Sequence, residues 1–76
     1  MIKLDYAEGL IRTARRGALR ETGALREIRS ECLSNPGWAS RLAHKVNAQS
    51  VQALIDEIAR HATEISNTYY RGKIVA

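Results

Sequence analysis

Apolar residues recur three and four positions apart through nearly the whole chain, and no stretch keeps the period-two alternation of a half-buried strand. That pattern predicts an all-α fold. In the first part of the chain Leu4, Ala7, Ile11, Ala14, Ala18, Leu25, Ile28 and Cys32 form a heptad-like seam with small residues at its centre, broken at Glu21. Read as one helix, residues 5–33 would extend roughly 44 Å, whereas a globule of this size is only about 30 Å across. Gly9, Gly17 and Gly23 each cost about 1 kcal/mol in a helix interior. The last two open a tandem repeat, Gly17-Ala-Leu-Arg-Glu21 and Gly23-Ala-Leu-Arg-Glu27, whose six-residue step turns Leu19 and Leu25 to different sides of a continuous helix. A break or bend between Gly17 and Gly23 is therefore the first expectation. A continuous helix that forms a homodimer through the Leu4, Ile11, Ala18, Leu25 seam is the second.

Downstream, Ser34-Asn35-Pro36-Gly37 reads as a loop in which Asn35 caps a helix that Pro36 opens. Trp38, Leu42 and Val46, with Ala39 and Ala43 beside them, make the apolar stripe of that short helix. Asn47-Ala-Gln-Ser50 is a turn with Ser50 as the next N-cap. Val51, Leu54, Ile55, Ile58, Ala62, Ile65 and Tyr69 then mark a long amphipathic helix, with Asp56 and Glu57 towards its start and Arg71 and Gly72 ending the run. The whole reads as a compact bundle of three to four helices with short turns. It is expected to form one small helical domain over residues 1–76, complete in itself.

Composition limits what such a bundle can do. Hydrophobic residues make up 45% of the 76 positions, and eleven of them are alanine, too small to fill much of a core. A chain this short buries only about 60% of its unfolded surface, so an enclosed catalytic pocket would compete with the core for the same side chains. No Gly-rich phosphate loop, Cys pair or Ser, His and Asp arrangement is present, and a non-enzymatic protein without cofactor is expected. The single Cys32 cannot form an intramolecular disulfide, which fits a reducing, cytoplasmic setting. No apolar run approaches the ~20 residues of a membrane span.

The formal charge of +4 is unevenly spread. Residues 1–33 carry seven basic and five acidic groups and residues 34–48 carry two basic and none acidic, while residues 49–70 carry one basic and three acidic. The best-formed helix is thus the acidic one. On a helical wheel Arg12, Arg16 and Arg20 lie opposite the seam, with Arg15 and Arg26 on one flank. Arg engages carboxylates and phosphates through paired hydrogen bonds, so such a row could track an acidic partner or a nucleic-acid backbone; a solvated face offset by Glu8, Glu21, Glu27 and Glu31 is the other reading. Tyr70, Arg71 and Lys73 make a second cluster, at the end of the last helix, with the aromatic and cationic character of interface anchors.

Between the two downstream helices, Leu42-Ala43 and Lys45-Val46, Asn47 at a left-handed turn position and Ser50 as cap together resemble the helix-turn-helix of phage-repressor-like DNA-binding domains. Asn47 stands where that family usually has Gly, Ala53 where a larger aliphatic is common, and Asp56 where an apolar residue is usual. The resemblance implies that Gln49, Ser50 and Gln52 read base edges while Arg41 and Lys45 hold phosphates. Asp56 and Glu57 on the same helix would repel phosphates. Glu57, His61 and Glu64 share one helix face at a spacing that metal ligands use, but a His paired with neighbouring carboxylates explains the same pattern, and no metal is expected. These features favour a small binding protein that docks on a larger protein or nucleoprotein complex, as an adaptor, regulator or small inhibitor of the mobile-element type. The alternative is a basic DNA-binding transcriptional regulator with a degenerate helix-turn-helix.

Overall fold

The computed structural model describes residues 2–69, and within them the chain folds as four helices: α1 (Leu4–Arg15), α2 (Gly23–Ser34), α3 (Pro36–Lys45) and α4 (Val51–Tyr69). No strand occurs among the described residues. The all-α bundle is as the apolar spacing predicts. The long first segment is broken rather than continuous, because α1 stops at Arg15 and Gly17 adopts φ +72°. There the amide of Gly17 donates to Ala14 O at 3.0 Å and that of Ala18 to Thr13 O at 3.1 Å, the paired bonds of a Schellman stop. Glycine suits this position because a Cβ strains a left-handed backbone, even though nothing lies within 4 Å of where that Cβ would sit.

α3 begins as its sequence suggests, with Pro36 in the first turn and the Asn35 side chain accepting the Trp38 amide at 3.2 Å. It ends by the same device as α1. Asn47, at φ 58°, donates to His44 O at 3.2 Å, and Ala48 donates to Ala43 O at 2.8 Å. Ser50 Oγ then accepts the Ala53 amide at 3.0 Å and caps α4.

Each helix turns one stripe inward. Ala7 and Ile11 of α1, Leu25 and Ile28 of α2, Leu42 of α3 and Leu54 and Ile58 of α4 are at most 1% exposed, and Val46 joins them from the turn. Trp38, Ile55, Ile65 and Cys32 complete one contiguous core. α2 packs most extensively against α4, while α1 touches all three other helices. The Cα radius of gyration of 12.5 Å is near the roughly 11 Å expected for a folded chain of this length.

The seam therefore works inside one chain. Ile11 and Leu25 are fully buried there, Leu4 is partly covered, and Ala18 is exposed at the break, so these four residues present no continuous apolar strip for a second copy. Tyr69 also departs from expectation. It continues the apolar spacing of α4 yet is 41% exposed.

Candidate functional site

The expected Arg12, Arg16, Arg20 row is cut short. Its 3.6-residue period carries from Arg12 to Arg16, the C-cap of α1, whose amide still donates to Arg12 O at 3.2 Å, and is lost at the left-handed Gly17 before Arg20. Arg12 turns to Glu8, at 3.1 Å, and donates to the Lys45 carbonyl at 3.0 Å. Arg16 caps α1 and reaches Thr13 Oγ1 at 3.4 Å. Arg20 lies in the connecting loop, with its guanidinium carbon 6.0 Å from the centre of the Tyr69 ring. The second expected cluster, Tyr70, Arg71 and Lys73, lies outside the described residues.

Arg15, read from the sequence only as a flank of that row, ties α1 both to α4 and to the end of α3. Its Nε and Nη2 donate to Glu57 Oε2 and Oε1 at 2.6 and 2.8 Å, a two-point clamp from α1 to α4. Its Nη1 donates to Val46 O at 2.7 Å. Arg12 and Arg15 thus place positive charge on the last carbonyls of α3, where the helix dipole favours it. The clamp holds the Glu57 carboxyl well below its ordinary value, at about 2, and His61 Nε2 adds a 2.9 Å contact to Oε2. The same hydrogen bonds raise the Arg15 pKa.

These contacts engage two members of the Glu57, His61, Glu64 face. Both Glu57 oxygens face Arg15 and one also meets His61, so the carboxylate already has its partners; no group of three metal-binding side chains assembles among the described residues. Cys32 is 2% exposed, and burial, reinforced by Glu31, pushes its thiol pKa up. A thiol so held is a poor nucleophile.

The α3–turn–α4 unit has the left-handed Asn47 and the Ser50 cap of the resembled motif. The residues that the resemblance assigns to base reading are only partly available for it. Ser50 Oγ is engaged by the Ala53 amide, and Gln52 Nε2 donates to Asp56 Oδ1 at 3.0 Å. Gln49 is exposed. Arg41 is exposed on α3 with no hydrogen bond or ion pair among the described residues, whereas Lys45 Nζ lies 3.4 Å from Asp5 Oδ1.

Arg41 and Lys45 belong to a different surface that sequence spacing does not reveal. Trp38 Nε1 donates to the Ile2 carbonyl at 3.0 Å and fastens the extended segment before α1 onto α3. Leu4, Arg41 and Lys45 together line the surface beside it. On one side is a concavity of about 490 Å³ lined by Ile2, Lys3, Leu4, Asp5, Trp38, Arg41 and Lys45. On the other is one of about 450 Å³, mostly apolar, lined by Leu4, Ser40, Arg41, His44 and Lys45. The two share Leu4, Arg41 and Lys45, and so form an open trough with an aliphatic floor and cationic edges. The one sequence signal that could have found it is Trp38, whose indole needs a partner when it is buried.

Among the described residues the geometry defines four helices with an open basic trough and an internal Arg–Glu–His clamp. No protein-family model, curated protein or solved structure matches this chain. No helix of the described residues is long and apolar enough to cross a membrane.

Proposed function

We propose that this chain is a non-enzymatic binding protein that docks stoichiometrically on a larger protein or nucleoprotein complex. The observation that carries the reading is the trough between α1 and α3. Apolar floor and unpaired positive charge meet there on an open surface, the combination that supplies an anchor site together with a polar rim. The acid–base side chains that could have served a reaction, Glu57 and His61, are instead engaged with Arg15 and with each other. The contact residues first assigned to Arg12, Arg16 and Arg20 pass to Arg41, Lys45 and Lys3, since Arg12 supports the end of α3.

The test is affinity capture with the full chain from its source cell, with identification of bound proteins and measurement of the stoichiometry by light scattering. A saturable complex of fixed composition that Arg41→Glu disrupts supports the reading. A chain that stays alone at all concentrations refutes it.

A second reading, DNA binding through α3 and α4, is favoured by the left-handed Asn47 and the capped start of α4. It requires saturable binding to duplex DNA whose affinity falls steeply with salt and whose slope flattens on Arg41→Ala or Lys45→Ala. Absence of binding at low salt removes it.

A further inference from the structure

We infer that the trough between α1 and α3 takes an acidic protein segment carrying one large apolar side chain, with Leu4 as floor and Arg41 and Lys45 as edges. The inference rests on the docking reading above and gives it a partner chemistry. Three cations, Lys3, Arg41 and Lys45, stand on the trough against one carboxylate, Asp5. Arg41 has no ion pair among the described residues, and the Lys45 contact to Asp5 is long, 3.4 Å, to a carboxylate whose side chain is 92% exposed. Charge complementarity therefore selects an acidic occupant.

The floor selects among acidic occupants. A nucleic-acid backbone offers phosphates but no side chain to place on carbon, and it would leave Leu4 and the neighbouring mostly apolar concavity without a partner. An acidic peptide with one leucine or phenylalanine matches both features. The carboxylates meet Arg41 and Lys45 at the edges, and the apolar side chain covers Leu4 beside Ser40 and His44. Trp38, 5% exposed, lines the first concavity and is the sole tryptophan, so its emission is a built-in probe next to the site.

The experiment titrates the full-length chain with short synthetic peptides while following Trp38 fluorescence. The first peptide has glutamates flanking one leucine, the second replaces that leucine with alanine, and the third arm is duplex DNA. The first peptide is expected to bind saturably, and the alanine peptide at least about tenfold more weakly. Arg41→Glu is expected to weaken the first peptide by about tenfold or more, reversing one contact charge on an exposed side chain without touching the core. Ser40→Tyr, which fills the second concavity and leaves every charge in place, is expected to abolish the difference between the two peptides. Asp5→Asn is expected to tighten binding about threefold by freeing Lys45. Equal affinity for leucine and alanine peptides, or tighter binding to DNA through the same Arg41 dependence, overturns the inference. A complex captured from cells that is insensitive to both Arg41→Glu and Ser40→Tyr also overturns it, yet leaves the docking reading standing on another surface.

Discussion

After α1 and again after α3 the chain leaves its helix through the same pair of backbone hydrogen bonds, with Gly17 in one left-handed position and Asn47 in the other. Their surroundings differ. The Gly17 turn leads into residues 18–22, where only Leu19 and Thr22 are partly covered. The Asn47 turn is held from outside by Arg12 and Arg15, which donate to the Lys45 and Val46 carbonyls, and its exit is capped by Ser50. A left-handed stop can therefore be followed by a loop tied down through side chains, Leu19 on the core and Arg20 over Tyr69, as at Gly17, or be braced at its own carbonyls by arginines distant in sequence, as at Asn47. Substitutions at the two turns are expected to act through different causes.

The largest effect tests the bracing. Arg15→Ala removes the clamp on Glu57 and the donor to Val46 O together, and is expected to destabilise the fold by about 2 kcal/mol, the part-exposed setting keeping the loss below that of a fully buried pair. Chemical denaturation measures it, and a loss within error of zero would mean that the Asn47 turn needs no support from Arg15. Gly17→Ala comes next. The added methyl meets no neighbour, so the penalty is that of φ +72° for an L-residue, about 1 kcal/mol. Ser50→Ala removes the Ala53 cap and is expected to cost about 1 kcal/mol or slightly less. Asn47→Gly is the smallest change, within about 0.5 kcal/mol of neutral, because asparagine already tolerates the left-handed region and the bracing arginines bind carbonyls rather than its side chain.

The same contrast has a pH signature. Glu57 is lowered from an ordinary 4.5 to about 2 by Arg15, with His61 assisting. A carboxyl whose folded pKa is depressed contributes fully above its unfolded value and loses that contribution as pH falls through the folded one. Stability is thus expected to fall between pH about 4.5 and about 2, and Glu57→Gln is expected to flatten that slope. Urea midpoints measured across this range decide it; an unchanged slope in the variant would place the acid sensitivity elsewhere.

Local chemistry in this chain was legible from the sequence, and distant pairing was not. The Gly17-to-Gly23 break, the Asn35 and Ser50 caps and the left-handed Asn47 each depend on a few consecutive residues, and all are found as their residue types suggest. The Arg row failed because helical periodicity assigns a face only within one helix, and the chain leaves α1 at Gly17, between Arg16 and Arg20. Arg15 was misjudged for a different reason. Its partner Glu57 is 42 positions away and its carbonyl 31, so nothing in its own neighbourhood distinguishes it from Arg12 or Arg16. The trough was hidden likewise, since it forms only when Trp38 finds the backbone of Ile2 across 36 positions.

The arginines at the end of α3 also bear on the order in which the molecule can assemble. α3 has ten residues, short of the ~12–15 at which even favourable isolated helices become appreciably stable in water. Its last carbonyls take two of their donors from α1, a neighbour in space that precedes it in sequence by the whole of α2. The short helix therefore acquires its finished C-terminus only as α1 docks. The same docked helix holds the Asn47 turn through Val46 O and reaches the first half of α4 through Glu57. Folding of the downstream hairpin is in this way coupled to the upstream helix, and fraying of α1 propagates to a turn that lies about thirty residues further along the chain.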